Sequence, residues 1–338
     1  VGLDKELLGL RHHALLARDQ TASYTGRVRL PSLPAPWHQG CEQGQAQRVM
    51  MRFAGLKEAI RDAALREAKG PVALIIAEDA VEVDTTIRHH AFAGFKTIFL
   101  FAPPELILPD SVAEMAIRID CATRDPDVTE FVVNAMVRAL PEKTWLYYCY
   151  NAEYLFYPFA ETRTVGEMLA YHAEERRFSM LTYVIDVYAG DLREADNAVS
   201  LEDAHLDRSG YYALARHDAD GAKKDRQLDF FGGLRWRFEE HIDDTRRRID
   251  RIAIVRTAPG LTLNPDHTWS DPELNTYSCP WHHNLTAAIV SFRTAKALRT
   301  NPASRFEIDT FRWHSSIEFE WHSQQLLDLG LMEPGQWF

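Results

Sequence analysis

Apolar residues along this 338-residue chain are spaced in two ways, and the alternation between them predicts most of the architecture. Val72 to Ala77 is a continuous apolar run, the length of one buried strand and too short for a helix. Thr97 to Phe101, Ala116 to Ile119 and Thr144 to Cys149 repeat it. Between them, apolar residues recur at three- and four-residue steps over Ala80 to Ala93. They do so again in a helix with Asp125 as N-cap and Pro126 at its first position, which carries Phe131, Val132, Ala135, Met136 and Leu140. Buried strands alternating with amphipathic helices predict an α/β fold, a mostly parallel twisted sheet with helices on both faces. Ligands of such sheets sit beyond the carboxyl ends of the strands, here near Glu78, Ala102 and Glu153.

The flanks read differently. A helical pattern over Leu7 to Leu16, a proline-rich connector from Leu30 to Trp37 and an amphipathic helix from Gln47 to Lys69, stopped by Gly70 and Pro71, make residues 1–70 an N-terminal extension. Residues 71–258 carry the sheet. In them, Thr164 and Glu167 form a capping box for a helix to about Glu175, while Met180 to Tyr188 and Ile249 to Val255 read as strands. The polar stretch 189–229, with a turn at Asp218 to Gly221, reads as a surface excursion or lid. Residues 259–338 hold helical patterns over Leu285 to Leu298 and Ser315 to Leu329, the second opened by a capping box of Ser315 and Glu318, and predict a C-terminal helical region packed on the sheet.

Composition narrows the partners. A 46% hydrophobic and 26% charged chain is a soluble globular one, and no apolar run approaches the ~20 residues of a transmembrane segment. A net charge of -11 argues against a nucleic-acid partner. Arg246, Arg247 and Arg248 read as an exposed helix face or a phosphate contact. Four cysteines, Cys41, Cys121, Cys149 and Cys279, lack metal spacing and predict free thiols in the cytoplasm. The first residue is Val1, so an earlier segment is expected to have been removed or left out.

Three stretches carry a resemblance. Val72 to Asp79 is a strand ending in Ala-Glu-Asp; Ile87 to Phe95, with His89, His90 and Gly94, precedes the strand Thr97 to Phe101; and Trp145 to Pro158 ends a strand in Tyr150, Asn151, Ala152, Glu153, Tyr154 and Leu155, followed by Arg163 to Leu169. In this order over roughly residues 70 to 190, they resemble the family 2 glycosyltransferases, which carry the nucleotide-binding GT-A fold. The resemblance implies transfer of a sugar from a nucleotide-sugar to a glycan or lipid-linked acceptor, with Mn or Mg as the family's cofactor. It implies donor-binding roles for Glu78, Asp79, Asn151 and Glu153, and a metal role for Glu153, with His283 as a late histidine of the kind found near such metals.

The departures are chemical. The family's Asp-x-Asp metal ligands are Tyr150 and Ala152 here, and its nucleoside-gripping Asp-Asn is Ala102 and Pro103. Hard divalent cations want carboxylates. The alternative is therefore a catalytically degenerate relative that binds a carbohydrate or a protein partner as a scaffold.

Sugar transfer with inversion needs a base for the acceptor proton, and Glu239 and Glu240 are the candidates, with an ordinary acidic first turn as the competing account. Neither His89 with His90 nor His282 with His283 can chelate from one helix face, because helix neighbours point about 100° apart. No Gly-x-x-x-x-Gly-Lys and no Gly-x-Gly-x-x-Gly cradle is present. Phe230 to Gly233 reads as an acceptor-side loop or a simple turn, and the late tryptophans as sugar platforms or core.

Overall fold

The computed structural model describes residues 51–337. The helix expected over Leu7 to Leu16, the proline-rich connector and Cys41 lie outside them. The strands are β1 (Arg52–Phe53), β2 (Val72–Ile76), β3 (Thr97–Ala102), β4 (Ile117–Asp120), β5 (Trp145–Tyr150), β6 (Glu153–Phe156), β7 (Ser179–Ala189), β8 (Ala204–Asp207), β9 (Tyr212–His217), β10 (Lys223–Phe231), β11 (Asp250–Arg256), β12 (Ala287–Ser291) and β13 (Ser316–Glu318). The helices are α1 (Leu56–Arg61), α2 (Ala63–Arg66), α3 (Val83–Phe92), α4 (Asp110–Ala113), α5 (Val128–Ala139), α6 (Val165–Glu174), α7 (Gly233–Arg237), α8 (Arg293–Thr300) and α9 (Ser323–Asp328).

The fold is α/β around one large mixed sheet, ordered β1-β4-β3-β2-β5-β11-β7-β12-β6. The four expected strands form its parallel block with β1, and β2 is buried from end to end between β3 and β5. A strand covered on both faces and both edges has no polar side, which is why it reads as unbroken apolar sequence. β11 runs antiparallel to β5 and β7; β7 and β12 are parallel; β6 closes the far edge antiparallel to β12. The strands and helices expected over residues 72–189 are present, with β6 and the short α4 added to them, and the Thr164 and Glu167 capping box opens α6.

One connection bends the sheet. Only Asn151 and Ala152 link β5 to β6, yet four strand spacings, about 19 Å, separate the two in the sheet order. Three Cα steps span at most about 11 Å, so the sheet coils until its far edge meets the carboxyl end of β5. Ala152 takes φ 59° in that turn, and its amide is held by Thr86 Oγ1 at 2.9 Å.

Several expectations are corrected. The helix over Gln47 to Lys69 is, from residue 51 on, strand β1 and two short helices, broken where the Asp62 side chain caps α2 through the Ala64 amide. Asp125 and Pro126 form a turn, with the helix starting at Val128 after Asp127. The helix over Leu285 to Leu298 is strand β12 followed by α8: Ala287 and Ala288 suit a helix, but Ile289 and Val290 are fully buried between β7 and β6. Residues 259–338 thus contribute to the sheet as well as packing on it. Ser315 to Glu318 does not start a helix; residues 316–318 are strand β13, paired with β8.

The stretch 189–229 is not a loose lid. It holds β8 and the β9–β10 hairpin, and the hairpin is fastened to β11 by Arg216, which bonds Asp229 at 2.7 Å and Asp250 at 2.6 Å. Of Arg246 to Arg248, only Arg246 is exposed on a helical turn, the 3-10 turn Asp244–Arg246. Arg247 bonds the carbonyls of Glu239 and Ile242, and Arg248 bonds Asp229 at 2.9 Å.

Candidate functional site

The carboxyl ends of β2 and β5 bring together three of the four residues expected to bind a donor. Asn151 is fully buried and acts as a bracket: its Oδ1 accepts from the Glu78 amide at 2.9 Å, and its Nδ2 donates to Asp79 Oδ1 at 2.6 Å and to the Val81 carbonyl at 2.8 Å. All the side chain's principal hydrogen-bonding capacity goes to fixing the Glu78–Asp79 turn. Asn151 is therefore a positioning residue here, and the two carboxylates are what it presents.

Both carboxylates meet cations from the start of α8. Arg293 grips Glu78 with two bonds, Nε to Oε2 at 2.9 Å and Nη2 to Oε1 at 2.6 Å, while Lys296 Nζ sits 2.9 and 3.1 Å from the Asp79 oxygens. The Arg293 guanidinium lies 3.7 Å from the centre of the Tyr150 ring, close enough for a cation–π contact, and the Tyr150 hydroxyl is tied to Thr129 at 2.6 Å. The Glu78–Arg293 pair is partly open to solvent, with side chains 26% and 32% exposed, whereas Lys296 is buried, at 8%, beside an Asp79 that is 38% exposed.

Glu153 begins β6 one turn deeper and is fully buried. Its Oε2 accepts from the Tyr150 amide at 2.9 Å and Arg251 Nη1 at 2.7 Å; its Oε1 accepts from Arg251 Nη2 at 3.1 Å and Ser291 Oγ at 3.0 Å. Burial pushes the Glu153 carboxyl up, but the charge and bonds of Arg251 and the Tyr150 amide outweigh it and hold the group below the usual carboxylate range. Arg251 is raised in turn by Glu153 against its own burial. The carboxylate has two partners on each oxygen, so it serves the protein interior and presents no open face to a cation.

The Glu153 and His283 metal pair is not brought together. His283 is exposed, with Nδ1 2.9 Å from Glu333, and among the described residues no group of three or more His, Cys, Asp or Glu could hold a metal ion. His282 lies beside Glu175 at 3.4 Å. His89 and His90 are buried in α3, bonding the carbonyls of Leu155 and Thr86.

Glu239 and Glu240 form a short 3-10 turn after α7, with side chains 57% and 62% exposed. Glu239 lies 3.7 Å from Arg247 and Glu240 3.8 Å from His241. Neither bonds to Glu78, Asp79, Asn151 or Glu153. Gly232 and Gly233, just upstream, are a packing requirement: a Cβ on Gly233, at φ 62°, would stand 3.1 Å from the Asp186 carboxylate, and one on Gly232 would strike the Tyr211 ring. The late tryptophans divide. Trp269 and Trp337 are core, while Trp236 and Trp281 are exposed.

Sequence reasoning missed the basic half of the site, namely Arg251, Arg293 and Lys296, together with Asp186 and its partner Arg235. Asp186 is fully buried in β7, 3.4 Å from Arg235 Nε; burial pushes its pKa up, and Arg235 opposes the shift. His267 bonds the Tyr148 hydroxyl at 3.0 Å and is held neutral, first by burial and then by Arg251, Arg293, Arg235 and Arg248. A signal existed for two of these. Asp186 is the one charged residue of β7, and Arg251 lies within the largely apolar stretch Ile249 to Val255; a charge buried at such a position needs an opposite partner.

No family model matches the chain, and no curated protein matches it.

Proposed function

We propose that this protein binds a nucleotide-sugar at the carboxyl edge of its sheet and transfers the sugar to a glycan or lipid-linked acceptor, as a glycosyltransferase of GT-A type. The observation that carries the reading is the meeting of Glu78, Asp79 and Asn151, from two separate stretches of the resemblance, at the edge where α/β sheets take ligands. The antiparallel β11 beside a parallel block, and the turn that throws Glu153 across the sheet, are compatible with it. With Tyr150 and Ala152 in place of acidic ligands and Glu153 committed to Arg251, donor binding is expected to proceed without a metal held by protein carboxylates.

Calorimetric titration with UDP-, GDP- and CMP-sugars, with and without Mn²⁺, tests it. One donor should bind, with little change on adding the metal. Glu240→Gln should then lower transfer by ~10²–10⁴ while leaving donor affinity intact, the contribution typical of a general base. Full activity in both Glu239→Gln and Glu240→Gln would remove these two as the proton acceptor.

A second reading has an observation of its own. Glu78, Asp79, Glu153 and Asp186 are each paired with a cation, which suits a degenerate relative acting as a carbohydrate- or protein-binding scaffold. That protein would show no nucleotide-sugar binding and no transfer.

A further inference from the structure

We propose that Arg293 and Lys296 form an exchangeable clamp for a diphosphate, with Glu78 and Asp79 holding the two cations in place until that ligand arrives. The proposal rests on the nucleotide-sugar reading and names the groups that recognise its diphosphate. Exposure decides which ion pairs can change partners. Separating Glu153 from Arg251 would strand charges in side chains 0% and 2% exposed, whereas Glu78 and Arg293, at 26% and 32%, both keep water, and Asp79, at 38%, regains it when the buried Lys296, at 8%, turns to another anion. The outer pairs can open; the inner one cannot.

The cations are arranged for an anion. Arg293 and Lys296 stand three residues apart on α8, so they share one face. Both lie at the start of a helix whose first turn holds no acidic residue and whose Arg293 amide is met only by the neutral Ser291 hydroxyl at 3.2 Å; positive charge there opposes the helix dipole and an anion relieves it. Glu78 occupies Nε and Nη2 of Arg293, leaving Nη1 for a ligand while the Tyr150 ring keeps the guanidinium flat. A guanidinium and an ammonium together supply two positive charges, the charge a divalent metal would bring.

A second observation is a buried donor without an acceptor beside the ring on which Arg293 lies. Arg251 Nε is buried, in a side chain 2% exposed, and makes no hydrogen bond, although buried donors are almost always satisfied. The Arg251 guanidinium lies 5.3 Å from the centre of the same Tyr150 ring that carries Arg293. Two guanidiniums, one with an idle donor, thus flank Tyr150 in a chain whose net charge is -11.

Titration of the full chain with inorganic pyrophosphate in the presence of EDTA tests the clamp directly. The parent protein should bind it, and Arg293→Met and Lys296→Met should each weaken binding by about ten-fold or more, the scale of losing a charge-assisted contact. Glu78→Gln should tighten it, because a competing anion is gone. Arg293→Lys, which keeps the charge, should fall between parent and Arg293→Met, and with Glu78→Gln it preserves the test if the methionine variants fail to fold. Absence of pyrophosphate binding at roughly millimolar ligand, a requirement for Mn²⁺, or equal binding by parent, Arg293→Lys and Glu78→Gln overturns the clamp. Nucleotide-sugar binding that ignores Arg293 overturns the clamp and spares the transferase reading. Pyrophosphate held by Arg293 with no nucleotide-sugar bound does the reverse.

Discussion

Glu153–Arg251 and Glu78–Arg293 are both bidentate ion pairs, and both guanidiniums approach the ring of Tyr150. Their surroundings set them apart. The inner pair has lost its water entirely and recovers stability only through complete pairing, with Ser291 and the Tyr150 amide filling the remaining positions on Glu153. The outer pair keeps about a quarter to a third of its side-chain surface in solvent, where an ion pair is worth ~0–1 kcal/mol. Equal geometry therefore gives unequal roles: the inner pair fixes the turn after β5, and the outer pair is free to exchange.

Acid should separate interior from edge most strongly. Burial lowers His89 to about 4, His90 to about 3 and His172 to about 4. Below the ordinary histidine value the unfolded chain takes up protons that the folded one refuses, so stability is full above about pH 6.5 and declines as pH falls toward those folded values. Each such group can remove about 1.4 kcal/mol per pH unit within that window. Glu153, held low, extends the loss below the ordinary carboxylate range, while Asp186 and Asp250, pushed up by burial, titrate with the opposite sign and blunt it. Urea midpoints measured from pH 7 to pH 4.5 should fall steadily; a flat profile would mean these histidines are not closed off.

Next in size, Arg251→Met should destabilise by ~3–5 kcal/mol in urea unfolding, because it leaves the Glu153 charge buried and alone. Adding Glu153→Gln should restore much of that loss. The smallest effect belongs to the edge: Arg293→Met should shift stability by under about 1 kcal/mol. Equal losses in Arg251→Met and Arg293→Met would erase the distinction between the pairs.

What could be read in advance followed from burial on both faces. β2, β3 and β5 are almost wholly apolar because, apart from Thr97 and Trp145 at their starts, they are buried, and the Thr164 capping box is a local code that needs no tertiary context. β12 was hidden because its alanines run into a helix after Phe292, and only its neighbours β7 and β6 decide that Ile289 and Val290 are strand. Glu78, Asp79 and Asn151 were legible from their strand ends. Arg293 and Lys296 were not, since a basic helix start looks like solvated surface until the chain more than two hundred positions earlier folds against it. Glu239 and Glu240 were legible as an acidic turn, yet no bond joins that turn to the strand ends.

The placement of β12 also sets a timetable. Strands β2 to β5 can pair as soon as the first hundred described residues are available, but β6 finds a partner only when residues 287–291 arrive, and Glu78 waits 215 positions for Arg293. Until then Tyr154, Leu155 and Phe156 sit in an unpaired apolar strand, the kind of surface that pairs with other chains. During synthesis the edge that carries Glu78 and Arg293 is thus the last part to assemble, and a chain interrupted before β12 should be recovered as aggregate rather than as a smaller folded protein.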